Sequence, residues 1–412
     1  MKQNYFLPTP ETTRVVESPN SRKFRICCIV AMISLCVTLL APWTHLQNVY
    51  TFSGYLDNIS KPYYHIVEDD KFGMNSTFFK LHSSKVTHIP ENFSISGSQV
   101  CAGGVPGVLF VVPSVASAAS KQTRVDIRET WASAMYGNPS LQTSSTSTDA
   151  SSTSTDASST STDASSTSTD ASSTSTDTSS TSTSTDASLT STRLAFFFGS
   201  SNLSEEEMQS LKNESDTFGD IVVGDFNDTY ENLSLKMAVI ITWVASRCPH
   251  VKAMVKVDMD TFVNVDILLN LIDQLPAEEH PSFVFGNLHN ANHPEVMRTG
   301  VWSVTETLYP FEFYPKYVYG HSYVLSGPAV KLLAHSFPYF PIIPNEDAFV
   351  TGVMAVVLNI TRFYHQSFAD EAEINIVDRF DKNILTSALV DSETRWKLWD
   401  SLKKRKKKDY PA

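Results

Sequence analysis

Along the middle of the chain, short unbroken apolar runs alternate with amphipathic stretches. The runs at 107–113 (GVLFVVP), 194–199 (LAFFFG), 220–223 (DIVV) and 253–257 (AMVKV) are too short for buried helices. None alternates polar with apolar, so each reads as a strand covered on both faces. Between them lie helical patterns at 124–135, 204–213 and 235–246, the second an acidic helix with Ser204 as its N-cap. Strands alternating with helices predict an α/β fold with a mostly parallel central sheet and helices on both faces. Ligands of such sheets gather beyond the carboxyl ends of the strands. Asp258 and Asp260 stand at that end of the fourth strand.

One apolar run is of another kind. Ile26 to Trp43 carries no charge and follows Arg22, Lys23 and Arg25. At helical rise it spans about 27 Å, enough to cross a thin bilayer. The preceding basic residues predict a cytoplasmic N-terminus and a single-pass signal-anchor. The long leading segment and the lack of a small-x-small site before Pro42 argue against a cleaved leader. The expected order is a cytoplasmic tail (1–25), a transmembrane helix (26–43), a lumenal stem (44–100), a globular domain (101–370) and a C-terminal extension (371–412). N-x-S/T sequons at Asn58, Asn75, Asn92, Asn202, Asn213, Asn227, Asn232 and Asn359 all follow the anchor, as a lumenal body requires. Cys27, Cys28 and Cys36 lie in or beside the span. Cys101 and Cys248 are the remaining pair, and spacing alone leaves open whether they form a disulfide.

A heptapeptide repeat, SSTSTDA, occupies 144–192. Its period of seven has no apolar a and d positions, so it cannot build a coiled coil. It also lacks the apolar surface to offset ordering entropy, which predicts a disordered loop inserted into one domain. Its six aspartates are balanced by the six basic residues of Lys403–Lys408, so the net charge of −12 belongs to the remainder of the chain. That acidity argues against a general nucleic-acid binder.

Two carboxylates at i and i+2 beyond a buried strand can face one site if the chain turns there. Hard oxygens suit Mg²⁺ or Mn²⁺, commonly completed by phosphate oxygens, and a diphosphate leaving group needs such neutralisation. The bland alternative is a pair of solvated loop aspartates, which turns favour in any case.

Five ordered blocks bear on that choice. They are TRVDIRETW (123–131), FGDIVVGDFNDTYENLSLK (218–236), VKVDMDTFVN (255–264), YPKYVYGHSYVLS (314–326) and NEDAFVTG (345–352). Together, from about Gly107 to His365, they resemble the β-1,3-galactosyltransferase family of Golgi type II membrane enzymes. The resemblance implies a GT-A-like fold and a lumenal catalytic domain in the Golgi membrane. It implies inverting, metal-dependent transfer of a hexose from a UDP-sugar, first of all UDP-galactose, to a glycan on a glycoprotein or glycolipid in β-1,3 linkage. N-acetylglucosamine and N-acetylgalactosamine remain open as donor sugars. A mucin-like membrane protein with a catalytically inactive, glycan-binding domain is the alternative.

The resemblance also assigns roles. Asp347 is expected to be the general base, with Glu346 as fallback; otherwise both are acids favouring a helix N-terminus. Asp260 is the expected metal ligand, Asp258 meets the ribose or the ion, and His365 completes the metal site. Arg124 and Arg128 are expected on the nucleotide phosphates, or else in ion pairs with Asp126 or Glu129. Tyr319, Gly320 and Tyr323 are acceptor-side candidates, whereas Trp131, Tyr230 and Trp243 read as core. Three departures stand out: Met259 between the two aspartates, Ser322 where the family has glycine, and Ala348 in place of valine. Ser322 is expected to narrow or strain the acceptor side.

Overall fold

Buried strands need a partner on each face, and the chain supplies them by winding helices to both sides of one sheet. The computed structural model describes residues 65–67, 77–102, 104, 106–136, 192–289, 293–369 and 384–409. The anchor segment 26–43 and the repeat up to 191 lie outside the described residues. Among those described, no helix is long and apolar enough to cross a membrane.

In chain order the strands begin with β1 (His65–Ile66), β2 (Phe93–Ile95), β3 (Val108–Pro113), β4 (Thr192–Gly199), β5 (Ile221–Gly224) and β6 (Ala253–Val257). They continue with β7 (Phe262–Val263), β8 (Phe283–Leu288), β9 (Val318–Ser326), β10 (Thr361–Tyr364), β11 (Phe368–Ala369) and β12 (Thr386–Ser387). The helices are α1 (Ala118–Glu129), α2 (Glu205–Phe218), α3 (Leu233–Arg247), α4 (Val265–Gln274) and α5 (Gly327–Ser336). A π-helical turn (Ala348–Val353) leads into α6 (Met354–Val357), and α7 (Ser392–Asp409) ends the described chain.

Nine strands form the main sheet in the order β1-β10-β8-β9-β6-β3-β4-β5-β2. The block β6-β3-β4-β5 is parallel throughout. The sheet is mixed outside that block. β9 runs antiparallel between β6 and β8, and the edge strands β1 and β2 are also antiparallel. From β3 the chain moves outward to β4 and β5, then returns to place β6 on the other side of β3. The crevice between β3 and β6 is therefore the point where the winding reverses, the natural ligand site of such a sheet.

Alternation along β3 shows why its apolar run is unbroken. Leu109 and Val111 join the core beneath α3 and α5. Phe110 faces the other way, against Trp131 beyond α1. Ser204 caps α2 with a reciprocal capping box to Glu207, as its position in the sequence predicts.

Two expected boundaries shift. The stem reading of 44–100 gives way for 65–67 and 77–100. β1 and β2 close the two sheet edges, and Phe78 and Phe79 pack on Tyr309, Phe311 and Phe340. Strands of two and three residues are too short for a period to register. The extension reading of 371–412 also gives way for 384–409: β12 pairs with β7, and α7 lies along α1. Cys101 and Cys248 form a disulfide that ties the segment after β2 to the end of α3.

Candidate active site

The reversal point is held together by a buried lysine. Lys236, on α3, donates to the carbonyl of Ser114 at 2.7 Å and to both carboxylate oxygens of Asp228 at 2.9 and 2.7 Å. Asp228 also accepts from the Gly199 amide at 2.9 Å, so one ion pair pins the ends of β3 and β4. Burial lowers the pKa of Lys236, opposed by Asp228 and by Asp258.

A second lysine joins the two acidic pairs. Lys256, on β6, lies 2.6 Å from Asp258 and 3.9 Å from Glu346, and it donates to the Gly320 carbonyl. Burial alone would lower its pKa, but Asp258, Glu346 and Asp347 outweigh that and raise it. Lys256 is thus a fixed cation between the Asp258 turn and the Glu346–Asp347 pair.

The carboxylates differ in surroundings. Glu346 accepts from the Tyr323 hydroxyl at 2.6 Å, and burial pushes its pKa up to about 7 against the pull of Lys256. Asp347 accepts from the Ala348 amide at 2.8 Å, at the head of the π-helical turn. Its pKa is raised by burial and held back by the Ala348 amide, Lys256 and the Gly320 amide. The helix-terminus and site readings of Asp347 are therefore compatible. Glu346 is braced by Tyr323 and lies 3.9 Å from Lys256, whereas Asp347 bonds only backbone amides. A Cβ on Gly320 would stand 3.3 Å from Asp347 Cβ and 3.4 Å from Glu346 Oε2, so backbone there approaches both acids closely.

The turn after β6 is clamped from three sides. The Asp258 amide donates to the His321 carbonyl at 2.9 Å, and the Val390 amide to the Asp260 carbonyl at 2.7 Å. Arg395 of α7, only 1% exposed, donates to the Met259 carbonyl at 2.6 Å. The Met259 departure is thus served by backbone alone. Asp258 keeps 40% of its side chain exposed, and Asp260 is exposed. Burial raises the pKa of Asp258, opposed by Lys256.

His365 follows β10 at the same side of the sheet, where its amide bonds the Gly286 carbonyl and its Nδ1 accepts from the Ser367 amide at 3.2 Å. Burial lowers its pKa. The structure does not draw it together with Asp258 and Asp260: among the described residues, no group of three or more His, Cys, Asp or Glu is placed to hold a metal ion. The strand order explains this, because β8 and β9 lie between β10 and β6.

The expected phosphate contacts are corrected. Arg124 makes a bidentate pair with Glu214 at 2.8 and 2.7 Å, and Arg128 bonds Glu214 at 2.7 Å and Asp220 at 2.7 and 2.8 Å. Both are buried against Phe198 and Phe196. The partners come from α2 and the start of β5, some 90 residues on, so spacing alone pointed only to local candidates such as Asp126 and Glu129. Tyr323 is also corrected: it is fully buried and braces Glu346 from behind. Ser322 causes no strain, since its hydroxyl bonds Thr386 of β12 at 2.9 Å on the opposite face. Trp131 and Trp243 are core, as expected. Tyr230 is not; it is 48% exposed and accepts from the indole N–H of Trp302. Tyr319 stacks near His289, with ring centroids 5.1 Å apart.

Lys236 and Lys256 were not singled out in the sequence. Each sits within a quoted block, and a lysine inside an apolar strand or helix was the available signal.

Comparison with known proteins converges on the same region. The family described as galactosyltransferase matches residues 178–366. A Xenopus laevis lactosylceramide 1,3-N-acetyl-beta-D-glucosaminyltransferase A is 33% identical over 171 residues, 41% of this chain and 45% of that protein. Human beta-1,3-galactosyltransferase 5 is 34% identical over 165 residues, 40% of this chain and 52% of that protein. The mouse beta-1,3-galactosyltransferase 5 is 31% identical over 222 residues, 53% of this chain and 71% of that protein. The chain thus spans about half the length of the first two relatives and over two thirds of the third.

Proposed function

This chain belongs to the β-1,3-galactosyltransferase family, and we propose that it transfers a hexose from a UDP-sugar to a hydroxyl of a glycan acceptor, with inversion. The observation that carries this reading is the meeting, through Lys256, of the Asp258 turn and the Glu346–Asp347 pair. One acidic pair stands beside the reversal point, where a diphosphate would lie; the other stands across Lys256, where a proton must be removed.

Asp347 is the base. The acceptor oxygen attacks the anomeric carbon, its proton passes to the Asp347 carboxylate, and the bond from that carbon to the diphosphate oxygen breaks with its electron pair leaving on UDP. Glu346 remains behind, held by Tyr323, and Lys256 keeps both acids in register with the Asp258 turn. Two accessible hard carboxylates fit Mn²⁺ or Mg²⁺ only if phosphate oxygens complete the shell, because the described residues gather no third donor. Asp260 and Asp258 would hold the ion, which neutralises charge on the diphosphate.

UDP-galactose is the first donor to test. The names of the relatives include both galactosyl and N-acetylglucosaminyl transfer, so UDP-N-acetylglucosamine follows. The acceptor is a glycoprotein or glycolipid glycan, and the setting is the Golgi membrane through the 26–43 anchor.

The test uses the purified chain with each UDP-hexose, Mn²⁺ and a panel of glycan acceptors. Asp347→Asn is expected to keep donor binding and lose about 10²–10⁴-fold in turnover, the usual worth of a general base. Asp260→Asn is expected to lose Mn²⁺-dependent donor binding. No UDP release from any donor would favour the inactive, glycan-binding alternative, and near-normal turnover in Asp347→Asn would refute the base assignment.

A further inference from the structure

Most buried polar atoms among the described residues have a partner, and one exception lies beside the Asp258 turn. His321 Nε2 is shielded from solvent and has no hydrogen-bond partner among the described residues. Such an orphan costs free energy unless something absent from the free protein satisfies it.

Its position says what that could be. β6 and β9 pair Lys256 with Tyr323 and Val257 with Ser322, and the Asp258 amide continues the ladder to the His321 carbonyl. Directly paired residues share a face of the sheet. His321 therefore stands on the face that carries Asp258, Lys256 and Tyr323, whereas Ser322 bonds Thr386 on the other. On its chain neighbour Gly320 converge Lys256, bonded to the carbonyl, and Asp347, which accepts from the amide. The Tyr319 ring is 6.3 Å from the imidazole, centroid to centroid. His321 thus lies between the turn expected to hold the diphosphate and the carboxylate expected to take the proton. In an inverting transfer that interval is occupied by the hexose being moved. The free Nε2 edge of an imidazole can form a single hydrogen bond with a sugar hydroxyl.

We propose that His321 contacts the transferred hexose, hydrogen-bonding one of its hydroxyls, and so contributes to the choice of donor sugar. The proposal rests on the transferase reading, but its test does not require turnover. The sequence reading did not single out this residue, which lies between Gly320 and Ser322 in the 314–326 block.

Calorimetry on the full chain with Mn²⁺ would measure affinity for UDP, UDP-galactose and UDP-N-acetylglucosamine, in the wild type, His321→Ala and His321→Gln. The expected result is that at least one UDP-hexose binds the wild type more tightly than UDP. His321→Ala should reduce that preference by roughly five- to tenfold, the worth of one neutral hydrogen bond, with UDP affinity unchanged. His321→Gln, which keeps an amide in reach, should recover part of it and guards against misfolding. A preference for hexose that survives both substitutions overturns the proposal even if the wild type transfers sugar. Parallel loss of UDP affinity does so too, as does a wild type that binds UDP-hexose no better than UDP. Failure of the transfer assay with the hexose preference intact would refute only the transferase reading.

Discussion

Replacing Glu214 by glutamine separates two roles for Arg124 and Arg128 that the sequence left open. In the folded chain the Glu214 carboxylate takes three short bonds, two from Arg124 and one from Arg128, with all three side chains no more than 4% exposed. An amide keeps the volume but turns one acceptor into a donor that faces guanidinium N–H groups. Breaking a buried ion pair costs about 3–5 kcal/mol. Arg128 keeps Asp220 as a partner, so a loss near the lower end, about 3 kcal/mol, is expected. For a domain of this size that is a fall of roughly 6–12 °C in the unfolding midpoint. The pH dependence follows. Burial raises the Glu214 carboxyl, but the two arginines outweigh it and hold its pKa below the ordinary 4.5. Its stabilisation is therefore complete above that value and is lost as pH falls through the lower folded-state value. The gap between wild type and Glu214→Gln should be full at neutral pH and should narrow in acid below the ordinary carboxylate value. Thermal unfolding followed by circular dichroism, alongside the KM for UDP-sugar, is the assay. An unchanged midpoint with a tenfold rise in KM would refute the structural role and return the arginines to the phosphates.

Two further outcomes are expected. Cys248→Ser opens a loop closed across 147 residues and should cost about 2–4 kcal/mol in urea unfolding, a loss that reductant reproduces in the wild type. Arg395→Ala removes the buried donor to the Met259 carbonyl and should cost about 1.5–3 kcal/mol, the range for a charged hydrogen bond, together with weaker UDP-sugar binding in calorimetry. Unchanged donor affinity would show that α7 has no hold on the Asp258 turn.

The four central strands, the capping of α2 by Ser204 and the placement of Asp258 and Asp260 beyond β6 were legible because buried strands and helix caps are written in contiguous residues. The pairing of Glu346 and Asp347 in one block was equally visible. Their relation to the Asp258 turn was not, because Lys256 reaches them only once β9 is inserted antiparallel beside β6. The edge strands and α7 escaped the sequence reading for a different reason. β1 and β2 are too short to show a period, and α7 looked like a charged tail until Ser392, Arg395 and Trp396 met Asp126 and Met259.

The sequence by itself determined the parallel core, the acidity of the body, the chemistry available at the site and the family. Those depend on local pattern and residue type. Only the tertiary structure decided which cations meet which acids: Arg124 and Arg128 go to Glu214 and Asp220, Lys236 to Asp228, and Lys256 to Asp258 and Glu346. A buried charge takes whichever opposite charge shares its low-dielectric pocket, and that neighbour is set by how strands are ordered in the sheet, not by distance along the chain.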